Sequence, residues 1–449
     1  MQLDSVTELL GIANFKVAYM VRQNENRIDL VLRRIEEKPC VCSGCGKVHH
    51  TPIRSIDTVI IEDLPISGKR VFLHVPKRRS LCHEDEKIRT EELEWLRGRV
   101  TRRFAEQIYR LTSITTNKEA GWFLGLDDEK VYRIDKGMLE ELSLQQIQKV
   151  TPPRHMSVDE VAWQKWHKYV TNVIDVDKRK VIWNHEGRGK AVLDKFYRKI
   201  GKKGCGKIQA VASDGARGFL SSSKEHLKKA LIVLDHFHVK KYLNDAVDTV
   251  RKEELRKARQ QENQEVSAIL HCNKRFILMQ NTVTDKKTDI LKKLESLNKR
   301  VYQAMLLKEQ FLSVYAAGNR KDAYTNLRAW IVAAINSRIP SFVELGYKFF
   351  RKRHYVLNYF ACKITSAISE GINNKIKRLK RMAYGYRDVK YFLLKIHQHC
   401  GLLSPKLSTQ TRKRVIFRHI AFYMDYIDLQ GIQEALRRKI SFLGGKYFS

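Results

Sequence analysis

Met156-Ser157-Val158-Asp159-Glu160-Val161-Ala162-Trp163 is the stretch on which the fold of this 449-residue chain turns. Thr151-Pro152-Pro153 just before it is the clearest linker in the sequence, since consecutive prolines break regular structure. The stretch itself is rich in apolar and β-branched residues and reads as a strand. Two further strand signals follow, 169–176 and 180–185, joined by the turn-like Asp177-Lys178-Arg179. A helix runs through 191–196, then come a strand over 208–214, a helix from Arg217 and a strand over 230–235. Three hairpin-linked strands followed by two helix-plus-strand units is the element order of an RNase H-like α/β core. In that order the first and fourth strands are parallel neighbours, so Asp159 and Asp214 are predicted to meet at one edge of the sheet.

Downstream, 241–365 reads as a large all-helical insertion. Leu243, Ala246, Val247 and Val250 repeat at helical spacing, as do Leu291, Leu294 and Leu297, and Trp330, Ala333 and Ala334 lie in a helix that Pro340 is expected to end. The core resumes over 366–400 with Ser369-Glu370-Gly371-Ile372-Asn373-Asn374-Lys375-Ile376-Lys377-Arg378-Leu379-Lys380-Arg381. At helical spacing Ile372, Ile376 and Leu379 form an apolar stripe, and Glu370, Asn373, Asn374, Lys377 and Arg381 fall on another face. A carboxylate followed by cations and amides suits a helix that holds a metal ion at one end and a phosphodiester backbone along its length. A solvated basic helix with an i,i+4 ion pair is the plainer alternative. The last 401–449 form a basic tail with Arg412-Lys413-Arg414 and Arg437-Arg438-Lys439.

Upstream, 1–90 reads as a zinc-knuckle-like β module. Strand signals at 16–21 and 28–32 precede Cys40-Val41-Cys42-Ser43-Gly44-Cys45-Gly46, where Cys42 and Cys45 stand at the spacing of a zinc half site. Cys82 begins a second half, but Asp85 occupies the place of its second cysteine. The expected zinc set is Cys42, Cys45, Cys82 and His83, with Asp85, Cys40, His49 and His50 as other choices for the fourth ligand. A knuckle that folds without metal is the alternative. Residues 91–150 read as a helix-turn-helix: Ala120, Leu126, Val131 and Ile134 supply its core, and Lys130 and Arg133 are the expected DNA contacts on its second helix.

Lys+Arg 85 against Asp+Glu 49 gives a net charge of +36, which implies a polyanionic partner. No stretch approaches 18 apolar residues and the N-terminus has no apolar signal core, so a membrane role and secretion are not expected. Eight scattered cysteines point to a reducing, cytoplasmic setting rather than a disulfide framework. Double-stranded DNA in the bacterial nucleoid is the expected partner. Three converging carboxylates, Asp159, Asp214 and Glu370, can hold two Mg2+ ions for in-line phosphoryl displacement. An Asp at a strand end also commonly caps the next helix, and Asp214 and Asp235 are both candidates for that role.

These residues together resemble the DDE transposases of bacterial insertion sequences, specifically the ISL3 family, over roughly 5–395. The resemblance rests on Cys42-Ser43-Gly44-Cys45-Gly46, Asp63-Leu64-Pro65-Ile66-Ser67-Gly68, Val158-Asp159-Glu160 and Ser213-Asp214-Gly215. It continues in Leu234-Asp235-His236-Phe237-His238-Val239, Asn244-Asp245-Ala246-Val247-Asp248, Glu370-Gly371-Ile372-Asn373-Asn374-Lys375-Ile376-Lys377 and Ala383-Tyr384-Gly385-Tyr386. It implies a metal-binding triad of Asp159, Asp214 and Glu370, with Asp235 and His238 as an Asp-x-x-His pair near the active site. Departures from the family pattern are Asp85 in the second knuckle and Ser366, where the family often has Asn. The expected activity is binding of terminal inverted repeats by the N-terminal modules, cleavage to a 3′-hydroxyl and joining to target DNA. Lys377 and Arg381, with Asn373, would contact the DNA, and pairing of two ends implies a homodimer or larger assembly. The rival functions are a transposase-derived DNA-binding regulator without catalysis, and a nuclease or resolvase that cuts without joining.

Overall fold

Alternation of apolar and polar residues builds the first sheet. The computed structural model describes residues 3–147, 150–164, 168–278, 285–364 and 367–405. A short helix, Leu3–Leu10, precedes a hairpin of Phe15–Asn24 (β1) and Arg27–Arg34 (β2). Ile53–Ile66 (β3) and Lys69–Leu81 (β4) form a long second hairpin, and β2 runs parallel to β4. Val71, Leu73 and Val75 on β4 are fully buried, two residues apart as a strand face requires. The sheet continues through Val100–Thr101 and Leu96–Arg97, past the break expected at residue 90. The Leu3–Leu10 helix was not predicted; it packs Val6 and Leu10 onto the same core.

Three helices follow: Arg102–Leu111 (α1), Asn117–Leu124 (α2) and Asp128–Gln146 (α3). Thr116 and Glu119 close a capping box at the start of α2, and Asp127 caps α3. The turn between them is tight enough that a Cβ on Gly121 would stand 2.6 Å from the Leu126 carbonyl oxygen.

The second sheet comprises His155–Gln164 (β5), Lys168–Asp175 (β6), Lys180–Glu186 (β7), Ala210–Ser213 (β8) and Leu231–Leu234 (β9). Its order is β7-β6-β5-β8-β9, antiparallel from β7 to β5 and parallel from β5 to β9. Helices Lys190–Cys205 (α4) and Arg217–His226 (α5) cover one face, where Phe196, Tyr197 and Phe219 bury against Met156, Val158 and Val173.

After β9 every described element up to residue 364 is helical. The longest are His236–Gln260 (α6), Lys299–Ala316 (α7), Arg320–Asn336 (α8) and Pro340–Leu357 (α9). Trp330 lies at their centre, edge-on to Phe311, with its indole N–H donating to the Leu307 carbonyl at 2.6 Å. Pro340 opens α9 rather than ending α8: proline lacks an N–H, and the first turn of a helix does not need one. The last of these helices, α9, packs against β9.

Two final helices, Ala367–Met382 (α10) and Val389–Cys400 (α11), cover the other face of the second sheet. Ile372, Ile376 and Leu379 are buried there, the stripe that helical spacing predicts. Ser366 and the tail beyond residue 405 lie outside the described residues. No helix among the described residues is long and apolar enough to cross a membrane.

Candidate active site

Parallel register brings three aspartates into one row. Val158 on β5 pairs with Ser213 on β8, and Ser213 pairs with Leu234 on β9. The next residue in each case is an acid, so Asp159 in the middle of β5 stands in one row with Asp214 and Asp235, which directly follow β8 and β9. Each has a local structural duty as well. Asp214 Oδ1 accepts the Ala216 N–H at 2.8 Å across a turn at Gly215, whose φ of +75° and close approach to Leu234 exclude a side chain. Asp235 caps α6 through the Phe237 N–H at 2.8 Å and holds His238 Nδ1 at 3.0 Å. Capping and clustering therefore coexist, and neither rules out the other.

Burial pushes the Asp159 carboxyl above its ordinary value, with Asp214 and Asp235 adding to the effect and His238 opposing it. Glu160 is raised in the same way, by burial and then by Asp214, while Arg188 opposes. Burial alone would lower His238, but its hydrogen bond to Asp235 and the charges of Asp235, Asp159 and Asp214 outweigh that, and the imidazole stands above its ordinary value.

Across the β5–β6 pair, Asn172 faces Asp159. It is fully buried and neither polar atom of its side chain has a partner among the described residues. Asn373 on α10 donates its Nδ2 to Asp159 Oδ2 at 2.5 Å, which leaves its own buried Oδ1 without a donor. Carboxylate and amide oxygens such as these are the ligands a hard divalent cation takes. The expected DNA contact at Asn373 is corrected by this geometry: its side chain is turned inward onto Asp159, with 8% exposure. Glu370 stands one turn earlier on α10 and is exposed, as are Lys377 and Arg381 further along. Asn172 and Glu160 were missed as site residues. A lone amide between Val170 and Ile174 in an apolar strand was the available signal for the first.

In the N-terminal module the sulfurs of Cys42, Cys45 and Cys82 lie within 4.8 Å of one another, the one such ligating group among the described residues. Two similar loops create it: the Cys42 N–H donates to the Lys47 carbonyl and the Cys82 N–H to the Lys87 carbonyl, both at 2.9 Å. Three thiol donors in this arrangement fit zinc. His83, expected as the fourth ligand, is not part of the group. Cys40 is also outside it, with its sulfur accepting from the Ser80 hydroxyl at 3.9 Å and burial raising its thiol. Asp85 holds the place in the second loop that Cys45 holds in the first, and its carboxylate pairs with Arg89 at 2.5 Å.

Lys130 is a further correction. Its ammonium pairs with Glu62, a carboxylate only 3% exposed, so the charge is spent on anchoring α3 to the first sheet. Lys136 on the same helix pairs with Asp388 at 2.7 Å. Arg133 is exposed and hydrogen-bonds only to the Glu129 carbonyl, at 3.4 Å, among exposed Asp128 and Glu129.

Residues 156–396 match a family model described as transposase, of the ISL3 type of DDE enzymes. Residues 38–85 match one described as the zinc-finger of transposase IS204/IS1001/IS1096/IS1165. The chain is 30% identical over 372 residues to the transposase for insertion sequence element IS1001 of Bordetella parapertussis, covering 80% of this chain and 88% of that protein. It is 27% identical over 255 residues to the transposase for insertion sequence element IS1557 of Mycobacterium tuberculosis, covering 52% of this chain and 57% of the relative.

Proposed function

The chain belongs to the ISL3 family of DDE transposases, and from that membership we propose that it binds the terminal inverted repeats of its insertion sequence, cleaves the DNA to expose 3′-hydroxyls and joins these to target DNA. Its second sheet, with α4, α5, α10 and α11, is the RNase H-like catalytic core, and α6 to α9 with the shorter helices between them are the insertion. Asp159, Asp214 and Glu370 hold two magnesium ions. When bound, such ions activate a water or a 3′-hydroxyl and stabilise the leaving oxygen of an in-line displacement.

The protein's own residues do the positioning. Asn373 fixes the Asp159 carboxylate through its amide. His238, with Nδ1 tied to Asp235, keeps Nε2 for the scissile phosphate. Lys377 and Arg381, exposed on the helix that carries Glu370, neutralise phosphates beside the cut. The zinc ribbon and the helix-turn-helix formed by α2 and α3 bind the element ends, with Arg133 the cation on α3 that has no carboxylate partner. Two ends are paired by a homodimer or larger assembly. The row of three aspartates, Asp159 within β5 and Asp214 and Asp235 just after β8 and β9, is what most supports phosphoryl transfer over binding alone.

The test is magnesium-dependent cleavage and joining of duplex DNA carrying the native element ends, with wild type beside Asp159→Asn. Joined product made by the wild type and lost in the variant is the expected result. Binding without cutting by the wild type would favour a DNA-binding regulator, and cutting without joining a nuclease or resolvase.

A further inference from the structure

The helical insertion reaches the Asp214 loop with two lysines. Lys348 and Lys352 lie four residues apart on α9, so their ammonium groups share one face, an arrangement that repels unless an anion is near. Lys352 Nζ donates to the Gly215 carbonyl at 2.5 Å and ties α9 to the residue after Asp214. Lys348 Nζ sits 3.2 Å from the centroid of the Tyr242 ring. The Tyr242 hydroxyl donates in turn to the Asp214 carbonyl at 2.9 Å. Lys348 is half-buried, and among the described residues it has no carboxylate partner. Burial lowers it from the ordinary lysine value and Lys352 adds to that, while the charges of Glu344, Asp214 and Asp245 oppose. A partly desolvated ammonium, held over an aromatic face with no carboxylate in ion-pair contact among the described residues, is costly unless a ligand brings an anion close.

We infer that Lys348 receives a phosphate of the DNA strand next to the scissile linkage, with Tyr242 as its platform and Lys352 as the positioning residue that fixes the Asp214 loop beneath it. This rests on the phosphoryl-transfer function proposed above: once divalent ions occupy the acids, the phosphodiester is the anion that remains to meet Lys348. The insertion is thereby part of the substrate channel as well as a spacer between the second and third acids. Nothing in the sequence marks it, because an i,i+4 lysine pair does not stand out among 85 lysines and arginines.

The test uses the full chain with Asp159→Asn, so that binding is read without cutting. Its probe is duplex DNA bearing the terminal inverted repeat of its own element, with single neutral methylphosphonate linkages placed in turn around the cleavage position. Lys348→Met keeps the aliphatic stem on Tyr242 and removes the charge. It is expected to weaken binding roughly tenfold and to reduce the slope of log affinity against log salt by about one. One methylphosphonate beside the cut should weaken binding of the Lys348 protein and have no further effect on Lys348→Met, and Lys348→Arg should restore both. An unchanged salt slope, with additive penalties at every linkage, would overturn the contact. A chain that binds in the expected pattern but whose Asp159 form never cuts would sink the proposed chemistry and leave the Lys348 contact standing.

Discussion

Burial strips water from the Asp159 carboxylate, and Asp214 and Asp235 place like charge beside it. The folded chain therefore holds the Asp159 proton more tightly than the unfolded chain does. With more protons bound in the folded state, stability falls as pH rises from the ordinary aspartate value through the raised one. His238 acts in the same sense. Its value is also raised, so the stability from its pairing with Asp235 is complete below the ordinary imidazole value and is lost as pH rises through the raised one. Asp159→Asn removes the first contribution and, because the Asp159 charge helps to raise His238, weakens the second as well. In magnesium-free buffer the wild-type melting midpoint is expected to fall relative to that of Asp159→Asn as pH rises above about 4, the ordinary aspartate value, and through the raised one. Parallel curves would show that Asp159 titrates as an ordinary surface acid. Added magnesium should raise the wild-type midpoint and leave the variant nearly unmoved. Asp159 and Asp214 were legible as a pair because one lies within and the other directly after a recognisable strand. Asn172 and Lys348 were not, since what marks them is the absence of a partner, a property of their surroundings.

At the scale of elements, two short loops and a long hairpin build the zinc ribbon. Thiolates near in sequence, Cys42 and Cys45, meet Cys82 because β3 and β4 fold the chain back between them. Wild-type protein is expected to purify with about one zinc per chain, and Cys82→Ser to lose it. Cys40→Ser should retain the metal, since Cys40 bonds Ser80 instead. Equal zinc in all three proteins, measured by metal analysis, would exclude the cluster as the site. The helix α3 teaches a related lesson. The spacing of Ala120, Leu126, Val131 and Ile134 made α2 and α3 readable in sequence, and Thr116, Glu119 and Asp127 cap them in the structure. Which side of α3 faces solvent was not readable, because Glu62 and Asp388, which take up Lys130 and Lys136, come from other elements.

Across the whole molecule, the first and last parts of the described chain meet in a buried polar cluster. Asp135 on α3 is fully buried and accepts from the Thr112 and Tyr391 hydroxyls, both at 2.6 Å, and from Lys395 Nζ at 3.3 Å. Lys395 also donates to the Thr112 carbonyl at 2.7 Å. Residues 391 and 395 belong to α11, which packs on the second sheet, so this cluster couples the N-terminal helices to the candidate catalytic core. Lys395→Met leaves Asp135 buried without a counter-charge and is expected to cost about 3–5 kcal/mol in chemical denaturation. Adding Asp135→Asn to that variant should recover most of the loss. If the single variant were as stable as wild type, the Lys395–Asp135 pair would contribute nothing to stability.

By itself the sequence determined the strand order of the second sheet, the helical insertion, the apolar stripe of α10 and the cysteine spacing, because periodicity and turn chemistry are local properties of the chain. Tertiary structure alone decided which charges remain available. Lys130 and Asn373 are consumed by partners more than sixty residues away, and Lys348 is set over the Tyr242 ring beside the Asp214 loop. Charge pairing depends on distance in space, and a sequence lists its residues without that distance.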